Sequence, residues 1–440
     1  MRVATAHPTP VPRLRWVRIV GTAFAMYTVA FMDRINFGFG IEGVRKDLGI
    51  SAGEAGFAGG GAFFLGYVLL QIPGGKIAER WGARRLVLVA GVAWGAIAMS
   101  TGLVQNFTQL LVVRFLLGLS EGAVYPAMMV LLSRWFPQRE RGRAISYFIL
   151  CVPFGQAVIS PVSGLILKYG SWRELFVIEG FLPILLGVAW WLLIADRPAD
   201  ARWLSAAERD YITTAQAAEA TAEQRPADVL RALGNRNVQL MIATYVFLQM
   251  GQYGFGLWLP TVVKTVSGGS DLTVGLLTAL PWIAGMIGLV VNGRHSDRTG
   301  ERKVHVAVPV AIGSVFLVIS TLLGTGRPVL ALISLVCAIG FFQSYNGVVW
   351  VIPSQLVGST ALGPVAGLIN GLGTLAGGFA GPYLVGYLSD TTGTVLTGQY
   401  VLAAALLLSA ATVLAVRIRR ADAPEYPAPK SADHRDGSKV

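Results

Sequence analysis

Long apolar segments recur along the whole chain and are separated by short polar loops. A membrane-spanning helix needs about 20 consecutive, predominantly apolar residues. Such windows occur twelve times, near residues 18–39, 54–74, 86–105, 108–132, 144–168, 173–195, 239–263, 273–293, 304–323, 328–350, 362–387 and 398–417. Only 14% of the 440 residues are charged, whereas soluble domains have about 25%. The sequence therefore predicts an all-α integral membrane protein with twelve transmembrane helices.

A long polar stretch divides the twelve windows into two sets of six. We expect an N-terminal six-helix bundle over residues 18–195, a cytoplasmic linker with short amphipathic helices over 196–238, and a C-terminal six-helix bundle over 239–417. Residues 1–17 are interpreted as a cytoplasmic N-terminal segment, because no small-residue cleavage site follows them. The polar residues 418–440 are interpreted as a disordered cytoplasmic tail.

The basic residues are concentrated in particular loops, although the net charge of the whole chain is +12. Loops 75–85, 134–143 and 294–303 are basic, and the loops between them carry few charges. The positive-inside rule places these loops and both termini in the cytoplasm. Topology and contact with membrane lipid thus explain the charge, and no nucleic-acid partner is expected. We expect a multi-pass protein of a bacterial inner membrane.

One loop motif, G-x-x-x-[DE]-R-x-G-x-R-[RK], occurs after the second window and again after the eighth. Its key positions are Gly75, Glu79, Arg80, Gly82 and Arg84 in the first copy and Gly293, Asp297, Arg298, Gly300 and Arg302 in the second. Glycine permits a tight turn between two helices, and the carboxylate can bind a helix N-terminus or an Arg. We hypothesise a conformational latch. An ordinary basic turn is the alternative, which two equivalent copies disfavour.

The first and fourth predicted spans each carry an acid and a base: Asp33 and Arg34 in the first, and Arg114 and Glu121 in the fourth. Charges at bilayer depth are costly, and each is by default a functional hypothesis. Arg114 and Glu121 are seven residues apart, about 10.5 Å along one helix face. The two pairs reach similar depths, so all four side chains can face one cavity. A cluster that merely neutralises itself is the structural alternative.

The two signs of charge suit different tasks. Arg34 and Arg114 are permanently positive, and a guanidinium can bind a carboxylate through two parallel hydrogen bonds. Asp33 and Glu121 can gain and lose a proton, because burial favours the neutral acid whereas a neighbouring Arg favours the carboxylate. A substrate anion that occupies the Arg would release the acid and favour its protonation. This exchange would couple anion entry to proton entry.

Uncharged polar and aromatic residues in other spans complete the predicted substrate-binding set. They are Tyr67, Gln71, Gln156, Tyr253, Trp258, Tyr345, Asn346 and Asn370. For Trp258 the alternative is an ordinary aromatic residue at the membrane interface. A further intramembrane acid, Glu179, is interpreted as structural because it lies near a helix end.

Other classes of protein receive little support. The two cysteines predict neither a disulfide framework nor a metal site, and no cofactor is expected. The motifs HExxH and GxSxG are absent, and IPGGKI lacks the flanking residues of a phosphate-binding loop. An enzyme or an ATP-driven pump is therefore not predicted. A receptor or scaffold remains compatible with the sequence.

The twelve spans, the duplicated loop motif and the central linker resemble the major facilitator superfamily. Several segments resemble its anion:cation symporter family: FMDRINF, RFLLGLSEGAVYPA, SWRELFVIEG, YGFGLWLP and GLINGLGTLAGGFAGPYLVG. The resemblance covers residues 16–417, with Glu79 in place of the usual Asp. It implies the major facilitator fold, Arg34 as substrate anchor, Asp33 and Glu121 as proton carriers, and Arg114 as partner of Glu121. It also favours Tyr67 and Asn370 as substrate contacts.

The leading prediction is a secondary transporter that imports a small organic anion by proton symport. Two Arg groups, amides and aromatic rings suit sugar acids, tartrate-like hydroxy acids and aromatic carboxylates. A proton-coupled antiporter that exports organic or amphipathic compounds is the alternative, although the Arg pair disfavours cationic drugs. One chain already builds a complete pathway between two bundles, so we expect a monomer.

Overall fold

Helices form nearly all of the protein. A computed structural model describes residues 13–220, 233–357 and 359–417. The predicted tail over 418–440, residues 1–12 and the middle of the predicted linker lie outside the described residues. The exposed apolar side chains occur on most of the long helices, as expected for a bundle surrounded by lipid.

The N-terminal half contains six long helices. These are α1 (Thr22–Leu48), α2 (Ala52–Gly56, then a π-helical stretch Phe57–Ala62, then Phe63–Trp81), α3 (Ala83–Thr101), α4 (Phe107–Gly122 and Val124–Trp135), α5 (Gln138–Ile149 and Cys151–Tyr169) and α6 (Trp172–Leu193). A short helical segment over Arg13–Arg15 and Trp16–Gly21 precedes α1. A linker helix, α7 (Ala206–Ala220), follows this half.

The C-terminal half repeats the arrangement. Its helices are α8 (Arg236–Ser267), α9 (Asp271–Thr299), α10 (Lys303–Leu323), α11 (Pro328–Phe342, continued irregularly to Ser354), α12 (Ser359–Thr392) and α13 (Gly398–Ala415). The twelve predicted spans thus correspond to twelve helical segments. Most of them extend beyond the apolar windows, because their polar end turns continue the helix.

Local sequence signals explain where many helices begin and end. Ser51 and Ser171 each accept a hydrogen bond from the first turn of a helix and form a capping box with a Glu three residues later. Gly82 and Gly300 end α2 and α9 with φ of 96° and 71°. An L side chain is strained at such angles, so both copies of the loop motif need glycine at this position.

Three central helices differ from the others in composition. Within the described residues, nine helical segments are long and apolar enough to cross a membrane by those criteria alone. The long helices α1, α8 and α12 do not meet them. These three carry polar residues such as Arg34, Gln249 and Asn370 on faces that line the central cavity. The polar residues of these helices thus lie toward the cavity between the two halves.

The linker helix α7 packs on the N-terminal half. Arg15 is buried and binds Glu140 at 2.8 Å and Glu208 at 2.9 Å, which joins the first segment to the first turn of α5 and to α7. The rings of Trp135 and Trp203 stack at 5.2 Å beside this network. The linker helix is thus fixed to the N-terminal bundle.

Among the residues that the structure describes, the two halves approach each other most closely at one end of the molecule. We call the end with loops 75–85, 134–143 and 294–303 the basic side and the opposite end the far side. All hydrogen bonds and ion pairs between the halves lie at the far side. The carboxylate of Asp390 accepts hydrogen bonds from the backbone amides of Ala52 (2.8 Å) and Gly53 (2.7 Å) at the start of α2.

Glycines make the far-side contact close, and we call this contact the glycine seam. A Cβ on Gly56 would lie 2.4 Å from the Pro382 carbonyl oxygen, and one on Gly275 would lie 2.5 Å from the Ser160 oxygen. Such distances exclude any side chain without movement of the backbone. The two halves therefore meet backbone to backbone at the far side.

Candidate functional site

A cavity of about 480 Å³ lies between the two halves. Its polar and aromatic lining includes Tyr27, Phe31, Arg34, Tyr67, Gln71 and Tyr125 from the N-terminal half, and Tyr245, Gln249, Gln252, Tyr253, Tyr345, Asn346, Trp350, Asn370 and Thr374 from the C-terminal half. The lining reaches Met129 and Ser146, which flank the basic loop 134–143. The glycine seam closes the other end, so the cavity is directed toward the basic side.

Arg34 is the charged residue of the cavity wall. Its Nε donates to Oε2 of Glu121 at 3.0 Å, and its guanidinium lies 4.6 Å from the Phe31 ring and 4.7 Å from the Tyr67 ring. The Nη2 atom is buried and has no hydrogen-bond partner among the described residues. Arg34 is thus held in place by Glu121 and the rings while it retains an unused donor.

The two predicted proton carriers lie behind this wall. Asp33 and Glu121 are buried, and neither lines the cavity. The expectation that all four ionisable side chains face one cavity is therefore wrong for the acids. The physical reason is that Arg34 and Asn36 hold the carboxylates by hydrogen bonds of 3.0 Å and 2.9 Å inside the bundle.

Arg114 differs from its predicted role as the partner of Glu121. Arg34 forms the ion pair with Glu121, and no Arg114–Glu121 pair is formed. The Arg114 guanidinium instead lies 4.5 Å from the Phe37 ring and 5.2 Å from the Phe63 ring. Its Nε and Nη1 atoms are buried without hydrogen-bond partners in the described part of the chain. A second cation with unused donors thus lies beside the first.

A small recess connects the two cations. It has a volume of about 20 Å³ and is lined by Arg34, Arg114, Gln156 and Gln252, among others. The recess shares Arg34 and Gln252 with the main cavity. The side-chain oxygens of Gln156 and Gln252 have no hydrogen-bond donor within the described residues. The deepest part of the site therefore combines two positive groups with two amides.

The wall from the C-terminal half is neutral. Tyr345 donates to the side-chain oxygen of Gln249 at 3.2 Å, and the Gln249 amide reaches the Thr374 hydroxyl at 3.4 Å. The Asn346 amide binds Gln343 at 2.8 Å. Amides and hydroxyls offer both donors and acceptors, so this wall can recognise hydroxyl groups without adding charge.

Most of the predicted uncharged residues lie where the sequence suggested. Those that line the cavity or its recess are Tyr67, Gln71, Gln156, Tyr253, Tyr345, Asn346 and Asn370. Trp258 is the exception and a corrected prediction, since it lines neither. It is buried, and its indole N–H donates to the Pro382 carbonyl at 2.9 Å. Trp258 thus joins α8 to α12 beside the glycine seam.

Several lining residues on α8 were not predicted from the sequence. Tyr245, Gln249 and Gln252 recur at intervals of four and three residues, which places them on one helix face. This spacing is the signal that would have identified them. It was obscured because the same helix is apolar on its other faces.

Comparison with known proteins gives the family. The sequence matches the Major Facilitator Superfamily over residues 23–382. It is 34% identical to a putative tartrate transporter of Agrobacterium vitis, over 92% of this chain and 94% of that protein. It is 32% identical to a quinolone resistance transporter of Acinetobacter baumannii, over 89% and 91%.

This chain belongs to the major facilitator superfamily. The fold agrees, because an inward-facing, occupied structure of a bacterial homologue of the lysosomal transporter Spinster superposes with a TM-score of 0.75. The identity to that protein is 16%, and the match covers 90% of this chain and 96% of that one. The predicted fold class is confirmed, and the protein is a multi-pass membrane transporter related to organic anion transporters rather than an enzyme.

The two copies of the loop motif make different contacts in this transporter. In the second copy, Arg302 donates to Asp297 at 2.7 Å. In the first copy, Arg84 donates to the Trp191 carbonyl at 2.9 Å, and its backbone amide binds Asp196 at 2.9 Å. The carboxylate–Arg contact inside the motif thus forms in one copy, while the other copy anchors α3 to the end of α6.

The described residues offer no resident metal site. No group of three or more His, Cys, Asp and Glu side chains in residues 13–220, 233–357 and 359–417 could hold a metal ion. His295 and His305 form a close pair with ring nitrogens 2.6 Å apart, but no third ligand accompanies them.

Proposed function

We propose that this transporter imports a small organic anion together with protons by alternating access. The observation that supports this most directly is the Arg34–Glu121 ion pair at the cavity wall. It combines a permanent cation that can bind an anion with an acid that can bind a proton. One site can therefore couple the two substrates.

The coupling follows from competition for Arg34. A carboxylate of the substrate binds the guanidinium through its unused donors and displaces Glu121. Glu121 then loses the cation that stabilises its charged form, and it takes up a proton because a buried, unpaired carboxylate is unfavourable. Arg114 forms no ion pair with Asp33, whose Oδ1 accepts from Asn36; it lines the recess with unused donors that can bind the anion as well. Release of the anion restores the ion pair and expels the proton.

The direction of the cavity follows from the basic loops. The positive-inside rule assigns loops 75–85, 134–143 and 294–303 to the cytoplasm. The cavity is then open to the cytoplasm and closed toward the outside, which corresponds to an inward-facing state. We assign the protein to the bacterial inner membrane with both termini cytoplasmic, as a monomer surrounded by lipid.

The cavity walls favour a carboxylate that carries hydroxyl groups. Two cations bind the carboxylate, and the amides and hydroxyls around Gln249 and Asn370 bind the hydroxyls. Tartrate-like and sugar acids fit this chemistry, and the similarity to a putative tartrate transporter agrees with it. The rings of Tyr245 and Trp350, 4.9 Å apart, would also accommodate an aromatic carboxylate.

A proton-coupled exporter of organic compounds is the second candidate. The specific observation in its favour is the 32% identity to a quinolone resistance transporter. Because quinolones are aromatic carboxylates, export would use the same Arg34 contact, with protons moving opposite to the exported compound. Import and export thus differ in the sign of the pH change rather than in the site.

Reconstitution in liposomes tests the proposal. Purified protein is placed in vesicles that contain a pH-sensitive dye, and tartrate, glucuronate and benzoate are added outside one at a time. We expect one class of anion to acidify the lumen, and we expect this signal to disappear in Asp33→Asn, Arg34→Ala and Glu121→Gln. The exposed Asp210→Asn on the linker helix is the matched control and should behave as wild type.

Other results would decide against symport. Lumen alkalinisation on anion entry would identify an antiporter. Anion entry without any proton movement, retained in Asp33→Asn and Glu121→Gln, would show that the acids are structural.

A further inference from the structure

A third carboxyl group, Glu179 of α6, is buried in the N-terminal bundle and is not used by the mechanism above. Its side chain is 4% exposed. Ser163 of α5 donates to Oε1 at 2.7 Å, while Oε2 is buried without a hydrogen-bond partner in the described part of the chain. A helix-end contact would not require a carboxyl at this depth, so the predicted structural role does not account for it.

Asn36 connects this carboxyl to Asp33. Its amide nitrogen donates to Oδ1 of Asp33 at 2.9 Å, and the same side chain faces the Glu179 carboxyl. Oδ2 of Asp33, Oδ1 of Asn36 and Oε2 of Glu179 are all buried acceptors without a donor among the described residues. Buried polar groups are normally paired. One added proton would supply the donor that this cluster lacks.

The balance of charge gives the same result. Three carboxyl groups, Asp33, Glu121 and Glu179, share the buried region with two cations, Arg34 and Arg114. Two carboxylates can therefore be neutralised by Arg and the third cannot. A carboxylate buried without a counter-ion costs far more than a neutral acid. The cluster is electrically balanced when one carboxyl carries a proton.

The surroundings of Glu179 identify it as the carboxyl without a cation. Helices α1, α3 and α5 pack against α6. Of these, α1 contributes Asp33 and Asn36 and α5 contributes Ser163, whereas Arg84 and Arg85 of α3 lie at its opposite, basic-side end. Within the described residues the nearest charged group is thus Asp33, which is an acid.

Glu179 also lies on the far side of Asp33. It follows the start of α6 at Trp172 by seven residues, a rise of about 10.5 Å, and α6 begins at the far side. Asn36 is nearly one turn farther along α1 than Asp33 toward the same side. Glu179 therefore stands between Asp33 and the end of the molecule that the glycine seam closes.

We propose that Glu179 is a third proton site, which exchanges its proton with Asp33 beside Asn36 and serves the outer side of the proton path. This proposal rests on the proposed proton symport. In the transfer an O–H bond of Glu179 breaks and an O–H bond of Asp33 forms, so an acid and a carboxylate exchange roles and total charge is unchanged. Reprotonation of Glu179 from the outside then completes the cycle.

The test compares two kinds of transport by one variant. Net uptake of the anion that acidifies wild-type vesicles (tartrate, glucuronate or benzoate) requires proton binding and release. Counterflow exchanges labelled for unlabelled anion and needs no net proton movement. In Glu179→Gln we expect net uptake to fall at least fivefold and counterflow to change less than twofold. Glu179→Asp, which retains a carboxyl, should recover at least half of the net uptake.

A structural role gives a different pattern. Equal losses of net uptake and counterflow in Glu179→Gln, with no recovery in Glu179→Asp, would overturn the proposal, as would net uptake equal to wild type. Failure of the proposed symport itself is recognised separately, because the wild-type protein would then show no anion-dependent acidification. Asp210→Asn, which removes an exposed carboxyl, controls for the change in charge.

Discussion

The two halves of the molecule face the same cavity with different chemistry. The N-terminal wall carries the cation Arg34, and Arg114 in the recess lies beside it, with acids buried behind. The C-terminal wall carries amides, hydroxyls and rings and no charged residue among those described. In the proposed mechanism, the N-terminal half would therefore attract the anion and couple it to protons, whereas the C-terminal half would discriminate between anions.

The largest effect is expected on the charged wall. Arg34→Lys retains the positive charge but loses the planar fork that binds a carboxylate through two hydrogen bonds. We expect KM for the anion to rise about 10–100-fold, as for the loss of a buried charge-assisted contact of roughly 1.5–3 kcal/mol. Uptake kinetics in liposomes measure this. An unchanged KM would show that Arg34 does not bind the anion and that the N-terminal wall does not attract it.

A substitution in the neutral C-terminal wall should instead change the selectivity between anions. Gln249→Ala removes an amide that Tyr345 and Thr374 hold in place. We expect about a fivefold loss of affinity for tartrate, because one hydrogen bond contributes about 1 kcal/mol, and little change for succinate, which lacks the hydroxyls. Competition between the two anions gives the ratio directly. Equal losses for both would show that this wall does not recognise hydroxyl groups.

The contact between the two halves at the far side should weaken as the pH falls. Burial alone would raise the pKa of Asp390, but hydrogen bonds from Gly53, Ala52 and Ser51 and the charge of Arg45 hold this pKa below its ordinary value. The carboxylate form therefore stabilises the closed contact above about pH 4. This contribution is lost as the pH falls through the lowered pKa, and Asp390→Asn should lose it at every pH.

The reaction rate of an introduced cysteine measures how often the far side opens. A cysteine placed at Phe57 in a cysteine-free background lies beside the seam and should react about threefold faster in Asp390→Asn at pH 7, consistent with an exposed contact of roughly 0.5–1 kcal/mol. In the parent protein the labelling rate, divided by that of an exposed reference cysteine at the same pH because only the thiolate reacts, should rise only below about pH 4. A rate that is independent of both pH and Asp390 would show that the seam alone keeps the far side closed.

The smallest effect is expected on thermal stability, and it should differ between the two copies of the loop motif. Arg84→Ala removes contacts to the α6 carbonyl, whereas Arg302→Ala removes a contact to an exposed Asp297. We expect Arg84→Ala to lower the melting temperature by about 2 °C and Arg302→Ala to have no measurable effect, since exposed ion pairs contribute little. A thermal-shift assay in detergent compares them. The reverse order would make the second copy the structural one.

The fold could be predicted because lipid imposes a strong pattern on sequence. Windows of apolar residues, basic loops and a repeated turn motif are each visible without structure, and the position of Arg34 inside a span is itself unusual. The depth of a side chain within the bundle is less visible. Asp33 lies behind the cavity wall, where Asn36 on the same helix holds it, and Trp258 lies beside the seam, where Pro382 of a distant helix accepts its indole N–H.

The roles predicted from resemblance depend on partner choice, which one sequence does not fix. Arg114 is near enough to the acids to have been assigned to Glu121, yet Arg34 occupies that carboxylate. The neutral wall was only partly predicted, because Gln249 and Gln252 are ordinary polar residues until α8 is placed against α12. Spacing along a helix identifies a face, but packing decides what the face contacts.

The glycine seam also determines which form of the protein is easiest to obtain. A methyl group at Gly56 or Gly275 would meet a carbonyl oxygen of the opposite half at 2.4 Å or 2.5 Å. Each alanine variant would thus disfavour the closed far side by steric clash and would leave the residues of the cavity unchanged. If the protein works by the proposed alternating access, one added carbon atom at either position would favour the opposite end-state and make that form accessible to structure determination.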